Sequence, residues 1–272
     1  MINLFAVPAQ ARAEYAEHGA TVLRSAVSAE WVELLRAAIE RDIESPGPYF
    51  HGYKPSDGQG RFHGNLRLWQ HDEIFREFCL ESYLPTIAQQ FFEGGQVNLL
   101  YDQLFVKEPG TKNRTRWHND QPYWPISGKQ VISLWIALDP VRKNSGALEF
   151  ISGSNRWDRW FQPRQFGETE TIGYDINPDY EEIPDIESNR DDYQLLSWDL
   201  NPGDCYVFNG MTVHGAGGNT DLQLRRRGYT IRYTGDDVRY DPRVGTSAPL
   251  HNSQLAPGDK LDSEMFPLII AN

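Results

Sequence analysis

His118 and Asp120 stand one residue apart in RTRWHNDQPYWP, residues 114–125. In an extended segment, side chains two apart project from the same face, so this imidazole and carboxylate can reach one point while Asn119 turns away. Such a pair is two thirds of the two-histidine, one-carboxylate set that holds non-haem Fe(II) with positions left open. Seven histidines are present, and His214, in FNGMTVHGAGGN, sits in a small-residue turn after a short apolar run, where a side chain can aim into a cavity. His118, Asp120 and His214 are therefore the candidate ligands. On its own His-x-Asp is a weak signal, for which an exposed pair is the default reading. The downstream order strengthens it: about a dozen residues after His214 comes RRRGYTIRY, an arginine cluster that opens a strand. A guanidinium offers a planar fork matched to a carboxylate. It would anchor the far end of a dicarboxylic cosubstrate such as 2-oxoglutarate while the keto-acid end chelates iron.

These residues need a scaffold. The 272 residues fit one large catalytic domain with a substantial core. SAEWVELLRAAIERDI, from Ser28, has a cap residue, an early Glu, and Trp31, Leu34, Leu35, Ala38 and Ile39 at helical spacing. A Gly-, Pro- and Ser-rich loop is expected from Ser45 to Gly60, and EIFREFCLESYLPTIAQQFF gives a second helical pattern that Pro85 breaks or restarts. After Gly94 and Gly95 the apolar period shortens to two, in QVNLLYDQLFVKEPG, KQVISLWIALDPV, GALEFISGS, DCYVFNG and RRGYTIRYTG. Short strands bounded by turn residues predict a mainly β sandwich or barrel with flanking helices. The expected division is 1–94 mainly helical, 95–240 the β core and 241–272 a tail of irregular coil. Within the core, 156–197 reads as an insertion or lid: between Glu168 and Asp192 lie ten acids and one base, Arg190.

The chain resembles the phytanoyl-CoA dioxygenase family of Fe(II)- and 2-oxoglutarate-dependent oxygenases. The resemblance covers most of the sequence: the KEPG segment, WHND, VISLWIALDP, NSGALEFISGSNRW, NPGDCYVFNGMTVHGAGGN and RRGYTIRY. It implies a double-stranded β-helix, the cupin-like jelly roll, with helices packed on one side and iron at one open end. By position it makes His118, Asp120 and His214 the iron ligands and Arg226 the partner of the 2-oxoglutarate distal carboxylate. Arg226 lies one residue further from the distal histidine than is usual in the family, which keeps Arg225 as the fallback. Gln103 and Trp135 fall where related enzymes contact the cosubstrate. Tyr101, Tyr123 and Trp124 become candidates for the substrate wall, with plain core packing as the competing reading. Halogenating relatives replace the carboxylate ligand by alanine or glycine, and Asp120 is intact, so the resemblance favours hydroxylation of an aliphatic carbon using O2, with release of succinate and CO2.

Other features bound the function. Lys and Arg total 26 against 38 Asp and Glu, a net charge of −12, which disfavours nucleic acid or an anionic membrane as partner and suits a small-molecule substrate. No basic amino-terminal leader and no run of 18 apolar residues is evident, so cytoplasmic placement is expected, as a monomer or homodimer. Cys79 and Cys205 read as buried thiols without zinc spacing. His51, His63 and His71 read as surface or capping residues, and Arg61 and Arg67 as groups that can meet an anionic substrate. A cupin-like metal-binding protein or isomerase without oxygen chemistry is the alternative from another functional class.

Overall fold

The computed structural model describes residues 5–53, 60–112, 114–164 and 174–271. Four α-helices precede the main strands: α1 Ala9–His18, α2 Ala29–Glu44, α3 Glu73–Leu80 and α4 Leu84–Phe91. The Ser28 hydroxyl caps α2 by accepting from Trp31 N, as its sequence predicts. The buried face of α2 is Val32, Leu35, Ala38 and Ile39 with Trp31 packed at its edge, so the apolar stripe read in the sequence holds except that Val32 joins it and Leu34 is exposed. Each of the larger side chains on that face favours docking by about 1.5–3 kcal/mol. Pro85 occupies the first turn of α4, where its missing N–H is harmless, and the helical pattern restarts there.

The strands form two main sheets. The larger holds β1 (Ala20–Leu23), β2 (His51–Tyr53), β3 (Phe62–Leu66), β4 (Val97–Lys107), β7 (Val131–Ala137), β10 (Cys205–Asn209) and β12 (Arg226–Thr234), in the order β1-β10-β7-β12-β4-β3-β2. A last strand, β14 (Leu268–Ile270), pairs β4 beside this path. The smaller sheet is β5 (Thr115–His118), β8 (Leu148–Ile151), β9 (Leu195–Leu196) and β11 (His214–Ala216), ordered β5-β11-β8-β9. A two-stranded ribbon pairs β6 (Ile126–Ser127) with β13 (Arg239–Tyr240). The structure is the expected mainly β, cupin-like double-stranded β-helix.

Period-two alternation divides the large sheet into an outer and an inner face. Outward Leu104, Val106, Leu134, Ile136, Tyr229, Ile231 and Tyr233 pack against Leu35, Ile39, Phe75, Phe78 and Ile87 of the helices. Inward Trp135, Tyr206 and Phe208 meet Leu148 and Phe150 of the smaller sheet. Gly228 is required here: a Cβ on it would lie 1.9 Å from Trp135 Cζ2, so only glycine lets the indole lie flat across β12.

Several expectations change. The part before residue 95 supplies three strands to the large sheet besides its helices, because ATVL and FHGNL are too short to show a period. β2 falls inside the segment expected to be loop, while 54–59 lie outside the described residues. His63, expected at the surface, is fully buried on β3 with its Nε2 2.7 Å from Asp42. The tail is mostly coil but ends in β14. The described part of 156–197 packs Trp157, Phe161, Ile183 and Ile186 with Trp117 and Ile151 of the smaller sheet and with Val213 just before β11, and it ends in β9. Residues 165–173, on which much of the lid expectation falls, lie outside the described residues.

Candidate metal centre

Antiparallel pairing of β5 with β11 sets His118 directly opposite His214, with ring centroids 4.3 Å apart. His214 opens a strand rather than lying in a turn. Each ring's Nδ1 lies on a backbone carbonyl, His118 on Arg116 O at 2.8 Å and His214 on Thr212 O at 3.0 Å. A carbonyl only accepts, so Nδ1 of each ring carries a proton and both Nε2 atoms are turned toward Asp120. β5 ends at His118, and Asp120 reaches the same point by another route than the extended one expected. Its backbone turns helical (φ −76°, ψ −40°) at the start of a short 3-10 helix, Gln121–Tyr123. Asn119 does face away, donating to Arg159 O. Asp120 Oδ1 lies 3.2 Å from His118 Nε2 and 3.9 Å from His214 Nε2. One donor atom from each of the three residues falls within 4.8 Å of the others, a set that fits one ion.

The electrostatics suit a cation. Burial pushes the His214 imidazole down to about 4, helped by neighbouring His118, so it is neutral and able to ligate at physiological pH. Burial alone would raise the Asp120 carboxyl, but the Arg232 guanidinium, then His118 and His214, more than offset it and hold the group well below the usual carboxylate range. Asp120 Oδ2 has its own neighbours, Arg232 Nη2 at 3.7 Å and Ser133 Oγ at 3.5 Å, leaving Oδ1 for the centre. Arg232 is a residue the sequence reading missed. It is 4% exposed, lies against the Tyr101 and Trp124 rings, and leaves Nε and Nη1 without a hydrogen-bond partner. Its signal was present: Arg226, Gly228, Thr230 and Arg232 are spaced two apart on β12 and share its inner face.

Arg226 turns to the inner face of β12 and its neighbours do not. Arg225 is paired with Glu40 and Glu108, and Arg227 with Asp139 and Glu40. Arg226 is 2% exposed, lies over the Trp135 ring at 5.3 Å, and pairs with no carboxylate among the described residues. Burial pushes its guanidinium down to about 10. An unneutralised buried cation costs several kcal/mol, so such an arrangement points to an anionic ligand. Gln103 and Trp135 flank Thr230 in register from β4 and β7, and the Thr230 hydroxyl is buried without a partner. The structure thus brings Arg226, Gln103, Trp135 and the missed Thr230 onto one inner wall.

The three aromatics differ in placement. Tyr123 meets His118 edge-on, with centroids 5.8 Å apart, touches Tyr174, and exchanges hydrogen bonds with the Arg164 backbone through its hydroxyl. Tyr101 accepts from Trp124 Nε1 at 2.9 Å, and Trp124 is buried behind it, carrying the wall. Arg67 donates to Tyr49 Oη and Pro249 O, and Arg61 lies against His63.

A cupin-like barrel with a His-Asp-His centre at one end and a buried arginine on its inner wall defines a class of metal-dependent oxygenase architectures. The phytanoyl-CoA dioxygenase sequence profile matches residues 15–228, and the chain belongs to that family of enzymes. Peroxisomal phytanoyl-CoA dioxygenase of Mus musculus is 25% identical over 251 residues, which cover 86% of this chain and 70% of the relative. The multifunctional dioxygenase prhA of Penicillium brasilianum is 26% identical over 195 residues, 61% of this chain and 56% of that one. Among solved structures, the non-heme alpha ketoglutarate dependent carbocyclase SnoK from nogalamycin biosynthesis superposes with a TM-score of 0.76 at 23% identity, covering 97% of both chains. The epimerase SnoN, in complex with Fe3+, alpha ketoglutarate and nogalamycin RO, gives 0.72 at 20% identity over 96% of this chain and 98% of its own. Among the described residues no helix is long and apolar enough to cross a membrane.

Proposed function

We propose that the protein is an Fe(II)- and 2-oxoglutarate-dependent oxygenase that hydroxylates an aliphatic carbon of a small-molecule metabolite. The observation that carries this reading is the convergence of His118, Asp120 and His214 between the two sheets, with Arg226 buried on the inner face of β12 and paired with no carboxylate among the described residues. Two imidazoles and one carboxylate are a donor set suited to Fe(II), and a buried guanidinium with no carboxylate partner among the described residues suits a carboxylate at the far end of a cosubstrate. When bound, iron would supply the chemistry that couples O2 and 2-oxoglutarate decarboxylation to oxidation of a C–H bond. The chain's own residues do the rest. The Arg116 and Thr212 carbonyls hold the imidazole tautomers, Arg232 and Ser133 orient Asp120, and Arg226 receives the distal carboxylate. Trp135 and Gln103 wall the cosubstrate's path, and Tyr101 and Tyr123 border the substrate side. Buried aromatic walls exclude water from the reacting carbon.

The intact carboxylate ligand argues for hydroxylation over halogenation. The two structural neighbours named above are a carbocyclase and an epimerase, which makes ring closure and epimerisation the competing outcomes on this fold. Anaerobic addition of Fe(II) and 2-oxoglutarate should give a weak visible charge-transfer band that His118→Ala abolishes; a wild type without the band would overturn the assignment. Succinate formation that requires oxygen excludes a cupin without oxygen chemistry, and oxygen-18 from O2 in the product separates hydroxylation from the other two outcomes.

A further inference from the structure

Lys107 is the last residue of β4, directly opposite Arg226 in the β4–β12 ladder, and its side chain is as buried, at 2% exposure. Alternation along β4 puts it on the inner face with Tyr101, Gln103 and Phe105. Its ammonium donates to the Gly217 carbonyl at 2.6 Å, just beyond β11. Gly146 lies between the carbonyl that Lys107 holds and the Arg226 guanidinium: a Cβ there would lie 2.7 Å from Gly217 O and 3.6 Å from Arg226 Nη2. Neither cation pairs with a carboxylate among the described residues, and the adjacent Glu108 is engaged by Arg225. Burial, then the Arg226 and Arg114 guanidiniums, push the Lys107 ammonium well below the ordinary lysine range. Two like charges in one dry corner of a cavity repel each other and lack solvation, and an anion placed between them relieves both.

We propose that Lys107 is a second anion-binding residue of this cavity, which with Arg226 clamps the distal carboxylate of the dicarboxylic cosubstrate. The proposal rests on the cosubstrate reading above. A purely structural lysine would instead fasten the turn after His214 through the Gly217 carbonyl, and charge separates the two roles. Lys107→Gln keeps an N–H donor for that carbonyl without the charge, and Lys107→Met removes both.

Binding of 2-oxoglutarate and of 2-oxopentanoate, which has the same keto-acid head but no distal carboxylate, is to be measured anaerobically on Fe(II)-loaded protein by titration calorimetry. Both variants are expected to lose about 30-fold or more in 2-oxoglutarate affinity. Their 2-oxopentanoate affinity and their Fe(II) affinity should stay at wild-type values, which also reports an intact fold. A Lys107→Gln variant that binds 2-oxoglutarate like wild type, or equal losses for both ligands, overturns the clamp alone. Wild-type protein that binds no 2-oxoglutarate overturns the cosubstrate reading and the clamp with it.

Discussion

At the residue scale, the centre depends on which oxygen of Asp120 meets which neighbour. Oδ1 faces the two imidazoles and Oδ2 faces Arg232, so the guanidinium both keeps the carboxylate ionised and orients it. Replacing Arg232 by Gln should lower Fe(II) affinity about 10–100-fold, in the range for partners that orient metal ligands, while Arg232→Lys retains part of it. Competitive metal titration checks this, and equal affinity in wild type and Arg232→Gln would show that Asp120 needs no such support. Most of the candidate centre was legible in the sequence because His118, Asp120, His214 and Arg226 carry types and an order that few other chemistries need. Arg232 and Lys107 were not singled out, because surface pairing is the usual role of an arginine or lysine and only burial contradicts it.

At the element scale, β12 presents a sequence of inward positions, each set by the strand across from it. Gly228 leaves the space that Trp135 fills. Gly228→Ala should therefore cost about 1–3 kcal/mol through overpacking, and Trp135→Leu in the same chain should recover part of the loss. Denaturant unfolding of the single and double variants measures this; independent, additive losses would mean that the two positions do not share the space. The long strands were readable for two reasons: RRGYTIRYT alternates Tyr229, Ile231 and Tyr233 with other residues, and VISLWIA is a short β-branched and aromatic run bounded by turn residues. The short strands β1, β3 and β14 were not, since three to five residues cannot display a period and their pairing is decided by the sheet they join. The edge of the α2 face has a similar origin: Trp31 packs against Phe78 as its spacing suggests, but tertiary contact takes in Val32 and leaves Leu34 exposed.

At the scale of the whole molecule, burial of one acid couples stability to pH. Asp102 lies on the outward face of β4 beneath α3, fully buried, with Oδ2 accepting from the Tyr229 hydroxyl at 2.5 Å and from Trp69 N at 3.1 Å. Burial pushes its carboxyl up to about 7, against the lowering effect of those hydrogen bonds. The folded state therefore holds this proton more tightly than the unfolded chain. The stability it contributes is full below the ordinary aspartate range and is lost as pH rises through about 7. Between about pH 5 and 8 wild type should lose about 2–3 kcal/mol relative to Asp102→Asn, which lacks the titration. Unfolding of both proteins across that range tests it, and parallel pH profiles would overturn it. The net charge of −12 is a property of the outside, whereas the inner wall is cationic at Arg226, Lys107 and Arg232.

The three consecutive arginines at 225–227 carry a consequence for how this chain tolerates change. Outward Arg225 and Arg227 are fixed to acids on other elements and the ladder with β4 sets the register, while the segment between Ala216 and Arg226 is itself pinned, with the buried Asn219 amide donating to Lys107 O and Leu224 O. An insertion or deletion there would have to give up those hydrogen bonds, while the pairing of Arg226 with Lys107 is held by the ladder itself. A one-residue change inside β12 just after Arg226 would still leave that arginine on the inner wall, but it would turn Tyr229 inward and Thr230 outward and bury the wrong face along the rest of the strand.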